Sequence, residues 1–112
     1  MNIILTNNTM TVKLCEDIDH NNVFELREKI DAEINKRPVK NLVFDFSNVE
    51  FMDSSGIGMI LGRYKLMSSI GGFVYIYNPT RPAMKIIEVA GVDRIIPVLY
   101  ENRSMEAELN EK

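Results

Sequence analysis

The apolar positions along the chain fall into short segments with two different periods. Apolar residues crowd 2–5 and 10–15 on either side of Asn7-Asn8, which reads as a β-hairpin. Val23, Leu26, Ile30 and Ile34 then recur at helical spacing, with Asn22 and Glu25 placed as a capping pair and Pro38 just beyond the end, so a helix is predicted over about 21–36. The run 41–46 is nearly all apolar (Leu42, Val43, Phe44, Phe46), which suits a central strand buried on both faces of a sheet. Helical spacing returns over 54–70 at Ile57, Ile60, Leu61, Tyr64 and Met67, and Gly71-Gly72 ends it. A strand at 73–77 follows, then a helix at 81–90 opened by Pro82, then a short apolar stretch at 95–99. Pro97 removes a ladder donor and so places that stretch at an edge. The tail 102–110 reads as a weakly patterned last helix. Strands alternating with helices imply an α/β fold in one domain spanning 1–112. Its sheet is expected to be mostly parallel, of four to five strands with an N-terminal hairpin strand, with about four helices and right-handed crossovers.

Composition narrows the partners. A chain of 112 residues at 46% hydrophobic content buries one ordinary core. With 13 basic residues scattered among 16 acidic ones and a net charge of -3, it carries no electrostatic footprint for nucleic acid. Cys15 stands alone, so neither a disulfide framework nor a zinc-binding set is present in the sequence, and Cys15 reads as a small core hydrophobe of a strand. The first residues lack a basic region, and no apolar run approaches the roughly 18 residues of a membrane helix. A cytoplasmic chain without membrane partner, metal or cofactor is expected.

One segment carries candidate chemistry: Val49-Glu50-Phe51-Met52-Asp53-Ser54-Ser55-Gly56-Ile57-Gly58. It lies where the central strand ends and a helix begins, and in open parallel sheets ligands and partners meet the carboxyl ends of strands. In structural terms alone, Ser54 or Ser55 caps the helix while Gly56 and Gly58 allow close packing on the sheet. A hydroxyl at such a turn is also exposed. A phosphate placed there faces the positive end of the helix dipole and, beside Asp53, makes the patch strongly acidic.

The run Phe51-Met52-Asp53-Ser54-Ser55-Gly56-Ile57-Gly58, continuing through Ile60-Leu61-Gly62-Arg63-Tyr64-Lys65, resembles the STAS domains of anti-sigma factor antagonists, and most of all their sporulation branch, the anti-sigma F factor antagonists. Asp17-Ile18-Asp19-His20, Gly71-Gly72, and Pro82 followed by Ala90-Gly91-Val92 fit the same pattern, so the resemblance covers nearly the whole chain. It implies that Ser54, the residue after the Asp, is the phosphorylated hydroxyl. It also implies a non-enzymatic switch: the unphosphorylated protein binds an anti-sigma factor that is a serine kinase, the sigma factor is released, ATP held by the kinase phosphorylates Ser54, and a serine phosphatase resets the cycle. Asp17 and Asp19 are then expected beside the phosphosite, sharing a partner surface with Asp53, Ser54, Ser55, Gly56 and Ile57. Where the family usually has Gly before the acidic residue of that loop, this chain has Glu16, which puts the loop's backbone geometry in question.

Competing readings use the same residues. A serine hydrolase would need Ser54 or Ser55 with His20 and Asp17 or Asp19, yet the chain has one His and no Gly-x-Ser-x-Gly elbow. Gly56, Gly58 and Gly62 match neither dinucleotide nor Walker spacing, and Gly58 and Gly62 read as helix-to-sheet packing. Met52, Met59 and Met67 read as core, and Arg63 and Lys65 as a solvated face. A STAS regulator of a stress pathway is the nearest alternative within the binding class.

Overall fold

The computed structural model describes residues 1–101. The hairpin forms as β1 (Asn2–Thr6) and β2 (Thr9–Lys13), paired antiparallel with Leu5 opposite Met10. Its turn is tight because Asn7 takes a positive φ of 56°, a conformation asparagine tolerates better than most residues. The carbonyl of Asn8 accepts hydrogen bonds from Lys40 N and Asn41 N, both at 2.9 Å, tying the hairpin tip to the start of the next strand.

From β2 the chain alternates: α1 (Val23–Lys36), β3 (Asn41–Asp45), α2 (Ser54–Ser69), β4 (Phe73–Tyr77), α3 (Arg81–Val89), a single 3-10 turn (Val92–Arg94) and β5 (Val98–Leu99). The five strands lie in chain order, and every pairing after the first is parallel, so the sheet is mixed with β3 at its centre and β5, just past Pro97, at one edge. Three α-helices are described; the fourth expected helix, at 102–110, lies outside the described residues.

Alternate strand residues point to opposite faces, and among the described residues only one face is buried. Met10, Val12 and Leu14, Leu42, Phe44 and Phe46, and Val74 and Ile76 join one core with Leu26, Ile30 and Ile34 of α1, Ile60 and Met67 of α2, and Ile87 of α3. All three helices therefore cover the same face. The expectation that β3 is buried on both faces is corrected: Val43, between fully buried Leu42 and Phe44, is only half-buried, because no described helix lies over its side of the sheet.

Four local expectations also change. Asn22 makes no cap bond to α1, and instead its side chain accepts from Asp19 N and donates to Asp17 O. Cys15 follows β2 and is exposed, so it is not a core residue. Gly58 and Gly62 do not press on the sheet, since a Cβ at either position would meet nothing within 4 Å. Arg63 is not solvated: it is 9% exposed, and its Nε sits 3.0 Å from Asp31 Oδ1 of α1. The methionines Met52, Met59 and Met67 are buried, as expected of core residues.

Candidate functional site

At the carboxyl ends of β2 and β3, the two following loops are laced together. Ile18 and Met52 form an isolated parallel bridge, with Ile18 N donating to Phe51 O and Asp53 N donating to Ile18 O, both at 3.1 Å. Asp17 clamps the second loop: its Oδ1 accepts from Glu50 N at 3.0 Å and Phe51 N at 3.1 Å. Asp19 turns the chain into α1, its Oδ1 accepting from Asn21 N and Asn22 N and its carbonyl from Val23 N. Below them Ile18, Val49 and Met52 are buried, so an apolar floor carries a polar surface. Glu16 does not disturb this loop. Among the described non-glycine residues a positive φ occurs only at Asn7 and Asn78, so no glycine-type conformation is demanded at position 16.

The cap of α2 is Asp53, and neither serine takes that role. Asp53 Oδ1 accepts from Ser55 N at 2.9 Å and from the Ser55 hydroxyl, while its Oδ2 accepts from His20 N at 3.2 Å. The Ser55 hydroxyl, followed by the backbone N–H groups of Ser55, Gly56 and His20, holds the Asp53 carboxyl below its ordinary value against a smaller opposing effect of desolvation. A carboxyl lowered in the folded state stabilises the fold at neutral pH, and that contribution is lost as the pH falls through the folded-state value. Asp53→Ala is accordingly expected to lower the urea midpoint at pH 7 with an unchanged slope, and the gap from wild type should close on acidification. Equilibrium unfolding at several pH values checks both parts.

Gly56 is the one position here where a side chain has no room. A Cβ would lie 2.8 Å from Met52 Cγ and 3.1 Å from Ile18 Cγ2, so the absence of a side chain lets the first turn of α2 settle onto the laced loops.

The two serines end in different surroundings. Ser55 is half-buried and committed to Asp53, whereas Ser54 is exposed and its hydroxyl makes no hydrogen bond among the described residues. Ser54 stands at the rim of an apolar groove of about 440 Å³ between the start of α2 and α3, lined by Met52, Ile57, Pro82, Ile86 and Val89 with Lys85 at its edge. Val89 is 85% exposed, and Ile86 and Ile57 are partly so. The structure thus brings Asp17, Asp19, Asp53, Ser54, Ser55, Gly56 and Ile57 into one neighbourhood. It adds Lys85, Ile86 and Val89, which sequence reasoning missed. A signal was available: Ile86 and Ile87 are adjacent on a helix, so they cannot both face the same core, and Val89 shares neither turn position with Ile87.

His20 is exposed, with Nδ1 3.7 Å from Asp53 Oδ2, and among the described residues no hydrogen bond joins it to Ser54 or Ser55. His20 is therefore not placed to act on either serine hydroxyl, and the group that the Ser55 hydroxyl meets is the Asp53 carboxylate. Among the described residues no His, Cys, Asp and Glu group is disposed to hold a metal ion, and no helix is long and apolar enough to cross a membrane.

The STAS domain family model matches residues 1–105. An anti-sigma F factor antagonist of Paenibacillus polymyxa is 34% identical over 93 residues, covering 83% of this chain and 79% of the relative. Among solved structures, the anti-sigma factor antagonist SpoIIAA in its unphosphorylated form superposes with a TM-score of 0.80 at 24% identity, over 98% of this chain and 95% of that one. The Bacillus cell fate determinant SpoIIAA in its phosphorylated form superposes with a TM-score of 0.72 at 25% identity, over 96% of each chain. With the family model spanning almost the whole length and the mixed five-stranded sheet in agreement, the chain belongs to the STAS domain family.

Proposed function

We propose that this protein is an anti-sigma factor antagonist of the sporulation type, switched by phosphorylation of Ser54. Unphosphorylated, it docks the first turn of α2 and the adjoining apolar groove on an anti-sigma factor that is also a serine kinase, and the sigma factor is released. The Ser54 hydroxyl then attacks the γ-phosphoryl group of ATP held by the kinase, ADP leaves, and the hydroxyl proton passes to a base of the kinase. A serine phosphatase later hydrolyses the phosphoserine. The chain is the substrate of both enzymes and catalyses neither step, and it works in the cytoplasm.

The observation that carries this reading is the pairing of a free, exposed Ser54 hydroxyl with an open apolar groove at its side. Contiguous exposed apolar surface rimmed by polar groups marks interaction sites. Asp53, Ser55, Gly56 and Ile57 form the contact turn. Asp17 and Asp19 act in this reading by holding the neighbouring loop in place and by flanking the contact with negative charge. The relative solved in a phosphorylated form supports the same cycle.

Intact mass with site mapping tests the assignment, after incubating wild type, Ser54→Ala and Ser55→Ala with a serine-kinase anti-sigma factor and ATP. One phosphate on wild type and on Ser55→Ala, with none on Ser54→Ala, is the expected result. Absence of phosphate on every variant, with a kinase that binds the chain and is active on ATP, would leave a constitutive binding domain in place of the switch.

A further inference from the structure

The start of α2 is a ridge between two grooves, and the second of them has a different chemistry. On the side away from α3, Ser55, Gly58 and Gly62 of α2 face Val23, Phe24 and Arg27 of α1 across a groove of about 390 Å³. Gly58 and Gly62 leave it open, since no heavy atom lies within 4 Å of where their Cβ atoms would be. Arg63 lines the same groove. Its residue is nine-tenths buried and its Nε lies 3.0 Å from Asp31 Oδ1, yet Nε, Nη1 and that Oδ1 are all buried without a hydrogen-bond partner among the described residues. A guanidinium N–H in that state is a donor awaiting an acceptor, because buried polar groups in native proteins are almost always paired. Phe24, 61% exposed, stands at the mouth with the Arg27 guanidinium 5.1 Å from its ring centroid.

Charge points the same way. Two guanidinium groups, those of Arg27 and Arg63, line the groove, and Asp31 pairs with Arg63 from outside that lining. Burial lowers the Arg63 guanidinium from its ordinary value, Asp31 raises it, and Arg27 is near enough to lower it further. An additional anion in the groove would lie beside both guanidinium groups. Arg in such a fork geometry matches a carboxylate.

We propose that the α1–α2 groove is a second contact point for the anti-sigma factor and receives a carboxylate side chain of that partner, taken up by Arg63 and Arg27 while the partner's backbone passes over Gly58 and Gly62. The inference rests on the reading of the chain as an anti-sigma factor antagonist, and the two grooves flank one ridge, since Ser54 rims one and Ser55 lines the other. A partner that engages the ridge straddles it.

The test is the affinity of the full chain for the serine-kinase anti-sigma factor in ADP, measured across a range of salt concentrations for wild type, Gly62→Leu, Arg27→Glu and Ser54→Glu. Gly62→Leu fills open space on a helix, so its thermal unfolding should match or exceed that of wild type while its affinity falls by about tenfold or more. Arg27→Glu, at an exposed site, should weaken binding most at low salt and flatten the salt dependence. Wild-type affinity in Gly62→Leu, alongside loss in Ser54→Glu, would overturn the second contact and leave the antagonist reading intact. Weakening by Gly62→Leu with the Arg27→Glu salt dependence unchanged would overturn the carboxylate and leave a contact of shape alone. A wild type that does not bind the anti-sigma factor would overturn both readings together.

Discussion

Phosphorylation of Ser54, or the Ser54→Glu substitution, is expected to lower affinity for the anti-sigma factor by about a hundredfold or more while leaving the fold as stable as before. Fold tolerance follows from position. Ser54 is the first residue of α2, exposed, with its hydroxyl free of hydrogen bonds among the described residues, and negative charge at a helix start is favourable. Binding is another matter. A phosphoserine brings a charge of about -1.5 to -2 at neutral pH to the rim of a groove lined by Met52, Ile57, Pro82, Ile86 and Val89, next to the ionised Asp53. Burying such a charge in a dry interface without a new cation costs several kcal/mol, and each 1.4 kcal/mol is about tenfold in affinity. Lys85 at the groove's edge is the nearest candidate cation, but as a solvated point charge it offsets only part of that cost. Calorimetric titration in ADP of wild type, Ser54→Ala and Ser54→Glu measures the effect. Wild-type affinity in the phosphorylated chain would sink the electrostatic mechanism.

The largest expected effect on stability is at Ile18. It is fully buried, lies under the bridge to Met52, and its Cγ2 is one of the atoms against which Gly56 packs. Ile18→Ala removes three carbons from a site that backbone bonds on both sides hold open. A loss of about 2–5 kcal/mol is expected, set against a total of about 5–15 kcal/mol for a natural domain. Because the same side chain supports both loops, kinase binding should fall as well. Ile57→Ala provides the contrast: Ile57 is only partly buried and lines the groove, so its truncation should cost affinity with a small change in stability. Urea unfolding and titration of both variants separate the two kinds of loss. Equal stability of Ile18→Ala and wild type would show that the lacing of the loops does not depend on that packing.

Much of the fold was legible along the chain because the elements are short and strongly patterned. Leu26, Ile30 and Ile34 at helical spacing, Leu42 and Phe44 in an apolar run, and Pro97 beside the last strand each satisfy a local rule that the tertiary structure did not override. Element positions agree within a few residues, and the Asp53-Ser54-Ser55 turn was readable as a strand-to-helix junction. Less legible was the direction each element faces. On α2 the predicted stripe ran through Ile57, Ile60, Leu61, Tyr64 and Met67; Ile60 and Met67 are buried, but Ile57, Leu61 and Tyr64 are only partly so, and Gly56, Met59 and Arg63 complete the buried row. Arg63 went unrecognised because a charged residue is buried only when a partner arrives from elsewhere, here Asp31 on α1.

The capping of the two helices shows the same division. Asn22 and Asp53 are equally good cap residues by type, yet only Asp53 caps its helix, because the other's side chain is drawn back to Asp17 and Asp19. Which of two adjacent serines is free was likewise undecidable from composition: it depends on Asp53 reaching Ser55 and leaving Ser54 alone. Periodicity and turn chemistry are properties of neighbouring residues, and so the amino-acid order alone established the α/β alternation, the hairpin and the junction that carries Ser54. The groove beside Ser54, the clamp from Asp17, the single covered face of the sheet and the buried Arg63 depend on residues far apart in the chain, and no local pattern encodes a contact whose two halves lie on different elements.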